Sequence, residues 1–207
     1  MRTLTDLARH LNFAGRRPGC PGLSPICLVT DEQRLPDPLP AATRLPPGSL
    51  VILRHYTDPE RDRLAERLAA LCRSRRLRLL IAGDWRLART VGAGLHLAEG
   101  LLPAMPVAAR LHRRQSGQLL TVAAHGRNGL ARAAQAGADA ALLSPVFPTR
   151  SHPGQAGLGR CAFRRLVHQA RLPVYALGGV TVATVLGLVR SKAQGVAAIG
   201  GFASRRR

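Results

Sequence analysis

LLTVAAHGRNGLARAAQAGADAALLSPV, residues 119–146, sets an alanine-rich stretch between two apolar runs. The first run, LLTVAAH (119–125), and the last, AALLSPV (140–146), are apolar almost throughout rather than alternating. That is the pattern of strands covered on both faces. ARAAQAG (131–137) between them reads as a helix closing near Gly137, a residue suited to the turn beyond a helix. Strand, helix and strand in this order argue a parallel sheet.

The alternation continues on both sides. Upstream lie ICLVTD (26–31), LVILRHY (50–56), LRLLIAGD (77–84) and GLHLAE (94–99); downstream lie PVYALGG (173–179) and GVAAIGG (195–201). With the two opening runs these make eight candidate strands. The clearest helix is PERDRLAERLAALCRSRR (59–76), where Leu64, Leu68, Leu71 and Cys72 share a face, with Asp58 as cap and Pro59 in the first turn. WRLARTVG (85–92), AFRRLVHQA (162–170) and VATVLGLVRS (182–191) are shorter candidates, with Gly92 and Gly195 near helix ends. The proline-rich LPDPLPAATRLPPGS (35–49) predicts a short first helix.

Eight such units in 207 residues fit a compact α/β fold, the (β/α)8 TIM barrel, as one domain over 1–207. The competing open sheet wants a glycine-rich fingerprint after its first strand, where TDEQRLPDP (30–38) stands instead. The expected N-terminal extension covers 1–24, and a basic tail covers 203–207. The eighth helix is expected to be short or missing, leaving barrel wall for the N-terminal segment or a partner chain to cover.

The net charge is +20, and the only lysine is Lys192. Arginines occur along the whole chain, and aromatics are 3% of residues, so no stacking platform for single-stranded nucleic acid is expected. The arginine excess has two readings, G+C-rich coding or a nucleic-acid or other polyanion partner, and a small phosphorylated ligand also suits such a field. Cys20, Cys27, Cys72 and Cys161 show no metal spacing and read as reduced thiols. No apolar run is long enough for a membrane span, so a cytoplasmic protein, with no membrane partner and open to homo-oligomerisation, is the expectation.

In a TIM barrel the ligand groups sit at the C-terminal strand ends. Here those ends carry Thr30 and Asp31; Arg54, His55 and Tyr56; Asp84; His96 and Glu99; His125; the loop from Ser144 to Gly154; and the pairs Gly178–Gly179 and Gly200–Gly201. Two glycine pairs after late strands let backbone N–H groups approach a phosphate.

GADAALLSPVFPTRSHPGQAGLG (137–159), LPVYALGGVT (172–181) and QGVAAIGGF (194–202) together resemble the thiamine-phosphate synthase/TenI family. The likeness is specific over about 119–202 and weaker over 26–118. It implies a TIM barrel that binds a thiazole phosphate. The synthases join it to a pyrimidine pyrophosphate, with magnesium, to give thiamine phosphate; the TenI-type members isomerise the thiazole. On this resemblance Arg54, Thr149, Ser151, His152, Gly178, Gly179, Gly200 and Gly201 bind substrate or phosphate, and His125 is catalytic. The family's magnesium carboxylates are not at their usual positions, which read Ala82-Gly83-Asp84 and Glu99-Gly100-Leu101. Asp84 and Glu99 are the candidate substitutes, although Asp84 equally suits the cap of the helix at Trp85. Three functions follow: synthase, thiazole tautomerase, or a non-catalytic phosphate-ligand barrel that lost its magnesium site.

Overall fold

Eight parallel strands close on themselves in chain order in the computed structural model, which describes residues 4–12, 23–149, 154, 156–199 and 202. They are β1 (Ile26–Val29), β2 (Leu50–Leu53), β3 (Arg78–Ala82), β4 (Gly94–Leu97), β5 (Leu120–Ala124), β6 (Ala140–Leu143), β7 (Val174–Ala176) and β8 (Gly195–Ile199). β1 pairs with both β2 and β8, so the barrel is closed and the open sheet is excluded. Each predicted run holds a strand, and β1 to β7 each stop short of their runs where the chain turns into the loop above.

Alternation along each strand makes two cores. Cys27, Val29, Ile52, Leu80, Leu142 and Tyr175 point inward and fill the barrel. Ile26, Leu28, Val51, Leu53, Ile81 and Leu143 point outward and pack under the helices. This double coverage is why the strands read as continuous apolar runs. Tyr175 is fully buried, and its hydroxyl donates to the Ser24 carbonyl. Cys27, Cys72 and Cys161 carry free thiols, and no described helix is long and apolar enough to cross a membrane.

The helices are α1 (Leu4–Asn12), α2 (Leu39–Thr43), α3 (Arg61–Ser74), α4 (Trp85–Thr90), α5 (Val107–Ser116), α6 (Arg127–Gln135), α7 (Gly159–Gln169) and the single turn α8 (Val182–Val185), which runs into a 3-10 turn at Leu186–Leu188. α2 is short, as its prolines predict. α3 starts later than Pro59, because the Asp58 carboxylate accepts the Glu60 N–H one step before the helix instead of capping it. α6 and α7 begin earlier than their apolar patterns suggest, and α5 is not marked by such a pattern at all. Gly195 opens β8 rather than ending a helix. α1 lies against β8, β1 and α8, burying Leu4, Leu7 and Ala8, so the N-terminal segment covers the wall beside the last strand. Phe202 is buried, whereas the 203–207 tail and any helix it could form lie outside the described residues.

Candidate functional site

A cavity of about 940 Å³ opens at the C-terminal strand ends and gathers Arg54, His96, His125, Thr149, Gly178 and Gly179. The sequence places all six at the strand ends or in the loop after them, and the family resemblance gives a role to five, all but His96. Ser151, His152, Gly200 and Gly201 lie outside the described residues.

The loop after β6 is pinned to the loop after β7. Val146 N–H donates to the Leu177 carbonyl at 2.9 Å and Phe147 N–H to the Gly178 carbonyl at 3.1 Å. The glycine pair lets this happen. Gly178 and Gly179 have φ of +87° and +64°, the left-handed region where a side chain costs free energy. A Cβ on Gly179 would lie 2.6 Å from the Pro148 carbonyl oxygen, and one on Gly178 would lie 2.9 Å from Pro145 Cα. The pair therefore has a packing role beside any ligand role. The N–H groups of Gly178, Gly179 and Val180 donate to no described residue, and backbone amides of this kind can hold an anion.

His125 follows β5. Its Nδ1 lies 3.0 Å from the Ser144 carbonyl oxygen, which can only accept. Nδ1 therefore carries the proton in the neutral ring and Nε2 is the bare nitrogen. The His125 backbone is fixed by Glu99, whose Oε2 accepts the His125 N–H at 2.9 Å and whose Oε1 pairs with Arg132 of α6. Glu99 fits there because Gly129 has no side chain: a Cβ would sit 2.5 Å from the carboxylate. Sequence reasoning offered Glu99 as a metal ligand; in the structure it anchors the start of α6 and the His125 loop.

Asp84 caps α4, its Oδ1 accepting the Arg86 and Leu87 N–H groups at 2.9 and 3.0 Å. Its Oδ2 lies 3.9 Å from Arg61. Neither Asp84 nor Glu99 lines the cavity, and the described residues hold no group of three or more His, Cys, Asp or Glu arranged for a metal ion. Magnesium wants several oxygen ligands facing one point. With one carboxylate spent on a helix cap and the other on Arg132 and a backbone N–H, this pair does not fit that ion.

Arg54 projects from the end of β2 into the cavity, its guanidinium 5.7 Å from the Tyr56 ring centroid. Thr30 fixes this corner: its hydroxyl lies 2.8 Å from His55 Nδ1 and accepts the Arg54 N–H at 3.0 Å. His55 is thus a buried structural residue, since its Nε2 also meets the Pro36 carbonyl at 3.2 Å. Arg34 and Asp31 also line the cavity; they pair at 2.7 Å, and the Arg34 guanidinium holds the Asp31 carboxyl down at about 2. Arg34 was missed from the sequence, where its only signal is the Asp31 turn after β1.

His96 points into the barrel from β4, opposite Thr121 of β5 in register, with Nδ1 2.9 Å from the Thr121 hydroxyl. Burial, and then the Arg54 charge, push its imidazole down to about 4 from 6.5. The unfolded chain therefore takes up a proton below about pH 6.5 that the folded chain refuses until about pH 4. Stability should fall as pH drops through that window, by up to about 3 kcal/mol. Urea unfolding of the parent and His96→Gln between pH 7 and 4.5 checks this, because the Asp31 contribution is lost only at lower pH. An equal slope in both proteins would remove His96 as the cause.

A family model described as thiamine monophosphate synthase matches residues 26–202. The chain is 32% identical over 182 residues to the thiamine-phosphate synthase of Chlorobium luteolum, covering 85% of this chain and 84% of that one. It is also 32% identical over 186 residues to that of Salinispora arenicola, covering 86% and 88%. Among solved structures, a thiamine phosphate pyrophosphorylase from Pyrococcus furiosus superposes with a TM-score of 0.70 at 20% identity, covering 86% of each chain. FabK of Thermotoga maritima superposes with a TM-score of 0.65 at 15% identity, covering 95% of this chain and 61% of that one, so the barrel alone selects no chemistry. The match over almost the whole barrel does select a lineage: this chain belongs to the thiamine monophosphate synthase/TenI family of thiamine biosynthesis.

Proposed function

We propose that the chain binds a thiazole phosphate at the mouth of its barrel and that His125 moves a proton on the bound ring. The observation that carries this is the fixed imidazole of His125, with Nδ1 held by Ser144 and Nε2 bare, in the same cavity as the Gly178–Val180 amides. The phosphate would sit on those amides, with Thr149 beside them and the Arg54 cation at the cavity wall. Nε2 takes a proton from one carbon of the bound thiazole and returns it to another carbon of the same ligand, so the double bond shifts and no proton is gained or lost overall. This chemistry asks nothing of Asp84 or Glu99 as metal ligands. The cytoplasm is the proposed compartment, supported by three free thiols.

A second reading is coupling of the thiazole phosphate to a pyrimidine pyrophosphate, favoured by the relatives named thiamine-phosphate synthase. Arg34 and Arg54 would then face the leaving pyrophosphate. The deciding experiment incubates pure protein with both precursors, with and without magnesium, and follows thiamine phosphate, thiazole isomerisation and calorimetric binding. Isomerisation that persists in chelator supports the proposal. Magnesium-dependent thiamine phosphate replaces it with the second reading. Tight thiazole-phosphate binding without turnover makes the chain a non-catalytic barrel.

A further inference from the structure

All 11 Asp and Glu side chains precede residue 140; residues 140–207 carry arginines and Lys192 with no carboxylate side chain. The cations are spread along the chain, but the anions are not. The consequence surfaces on α7. Cys161, Arg164, Arg165 and His168 stand at i, i+3, i+4 and i+7, on the face opposite buried Phe163 and Val167. With Arg190, from the segment entering β8, they line an open groove of about 760 Å³. Arg160, Arg164, Arg165 and Arg190 make no ion pair with any described residue.

Beside the groove runs an apolar stripe. Val182, Leu186 and Val189 are 45%, 58% and 37% exposed and follow one another at spacings of four and three. Stripe and groove are continuous. Arg160 lies so close over Gly187 that a Cβ there would meet its Cδ at 2.4 Å, and Arg190 directly follows Val189. An exposed apolar row rimmed by unpaired guanidinium groups is a surface with two requirements, apolar cover and negative charge.

We propose that this face of α7 and the 3-10 turn docks an acidic amphipathic segment of another protein, with apolar residues against Val182, Leu186 and Val189 and carboxylates against Arg164, Arg165 and Arg190. A duplex would use the charges but not the stripe, and no aromatic ring stands in the groove to stack a base. A second copy docked through this same face about a two-fold axis would bring the same cations against these. A bilayer is a flat surface, whereas the cations here line a concave one.

The test uses the full chain and a labelled synthetic helical peptide with leucine along one face and glutamate on the others, read by fluorescence anisotropy. Three variants are compared, each checked by thermal unfolding: Arg164→Glu with Arg165→Glu, Leu186→Ser, and the charge-matched control Arg67→Glu with Arg73→Glu on the exposed face of α3. The groove pair should weaken binding by about tenfold or more, Leu186→Ser by several-fold, and the α3 pair by no more than about twofold. Equal loss in both double variants would reduce the effect to net charge and overturn the proposal. So would a serine-faced peptide, a DNA duplex or anionic phospholipid vesicles binding as tightly as the leucine-faced peptide, or self-association of the parent in sedimentation that Leu186→Ser abolishes.

Discussion

His125→Asn should lower thiazole isomerisation by about 10²–10⁴ in kcat and leave KM for the thiazole phosphate within about twofold. Asparagine can still donate to the Ser144 carbonyl, so the loop keeps its contact, but it has no nitrogen that accepts a proton as Nε2 does. The Glu99 variants separate position from chemistry. Glu99→Gln keeps an acceptor for the His125 N–H and loses only charge toward Arg132, so it should cost a few-fold. Glu99→Ala removes both contacts and should cost about tenfold or more in kcat, with KM little changed, because a small displacement of a proton-transfer group is expensive. Stopped-assay kinetics across pH give the kcat and KM split. Full turnover in His125→Asn would move the proton-transfer role to another residue of the cavity.

Gly179→Ala should destabilise the fold by about 2–5 kcal/mol, from left-handed backbone strain and overlap with the adjoining loop. The overlap partners are the Pro148 carbonyl oxygen and Phe147 Cβ, at 2.6 and 2.7 Å from the new carbon. Gly137→Ala is the control: its φ is +69° but nothing lies within 4 Å of its Cβ, so only the strain of about 1 kcal/mol remains. Urea midpoints for the two variants measure the difference. Thiazole-phosphate affinity should fall in Gly179→Ala and hold in Gly137→Ala. Equal destabilisation would mean that the two loops relax apart easily. Aspartate at 179 would be a poorer probe, because it adds this overlap to its charge and confounds the two.

The strands were legible because a parallel strand covered on both faces leaves no polar alternation to blur it. α5 was illegible for the converse reason. Ala109 is its buried residue, while Val107 and Leu111 face solvent, so its apolar residues trace no inward stripe. Its ends were marked all the same, by Pro106 before it and by Gly117 with φ +65° after it. In the site, His125 and the pair Gly178–Gly179 could be read because each sits on a short local motif. Glu99 could be picked out but not its anchoring role, since its partners Gly129 and Arg132 are about thirty residues away and follow no spacing rule. His96 was visible as a residue near a strand end, but its Thr121 contact depends on the register of β4 on β5. Asp84 could be read two ways, as a metal ligand or a cap, and the structure shows the cap, its carboxylate accepting the Arg86 and Leu87 N–H groups.

The seam between β1 and β8 sets a timetable for a ribosome. Val29 and Gly195 are roughly 165 residues apart. At about 5–20 residues per second, synthesis takes roughly 10–30 s to deliver the second partner after the first. In the finished barrel β8 covers the Ile26–Val29 edge that β2 leaves open and also packs against α1, so until β8 is made both lack that partner. An unpaired apolar edge is a template for pairing with other chains. The time the first strand stands uncovered is set by translation of the whole stretch between β1 and β8, so slow codons placed anywhere in it should lower soluble yield without altering the finished molecule.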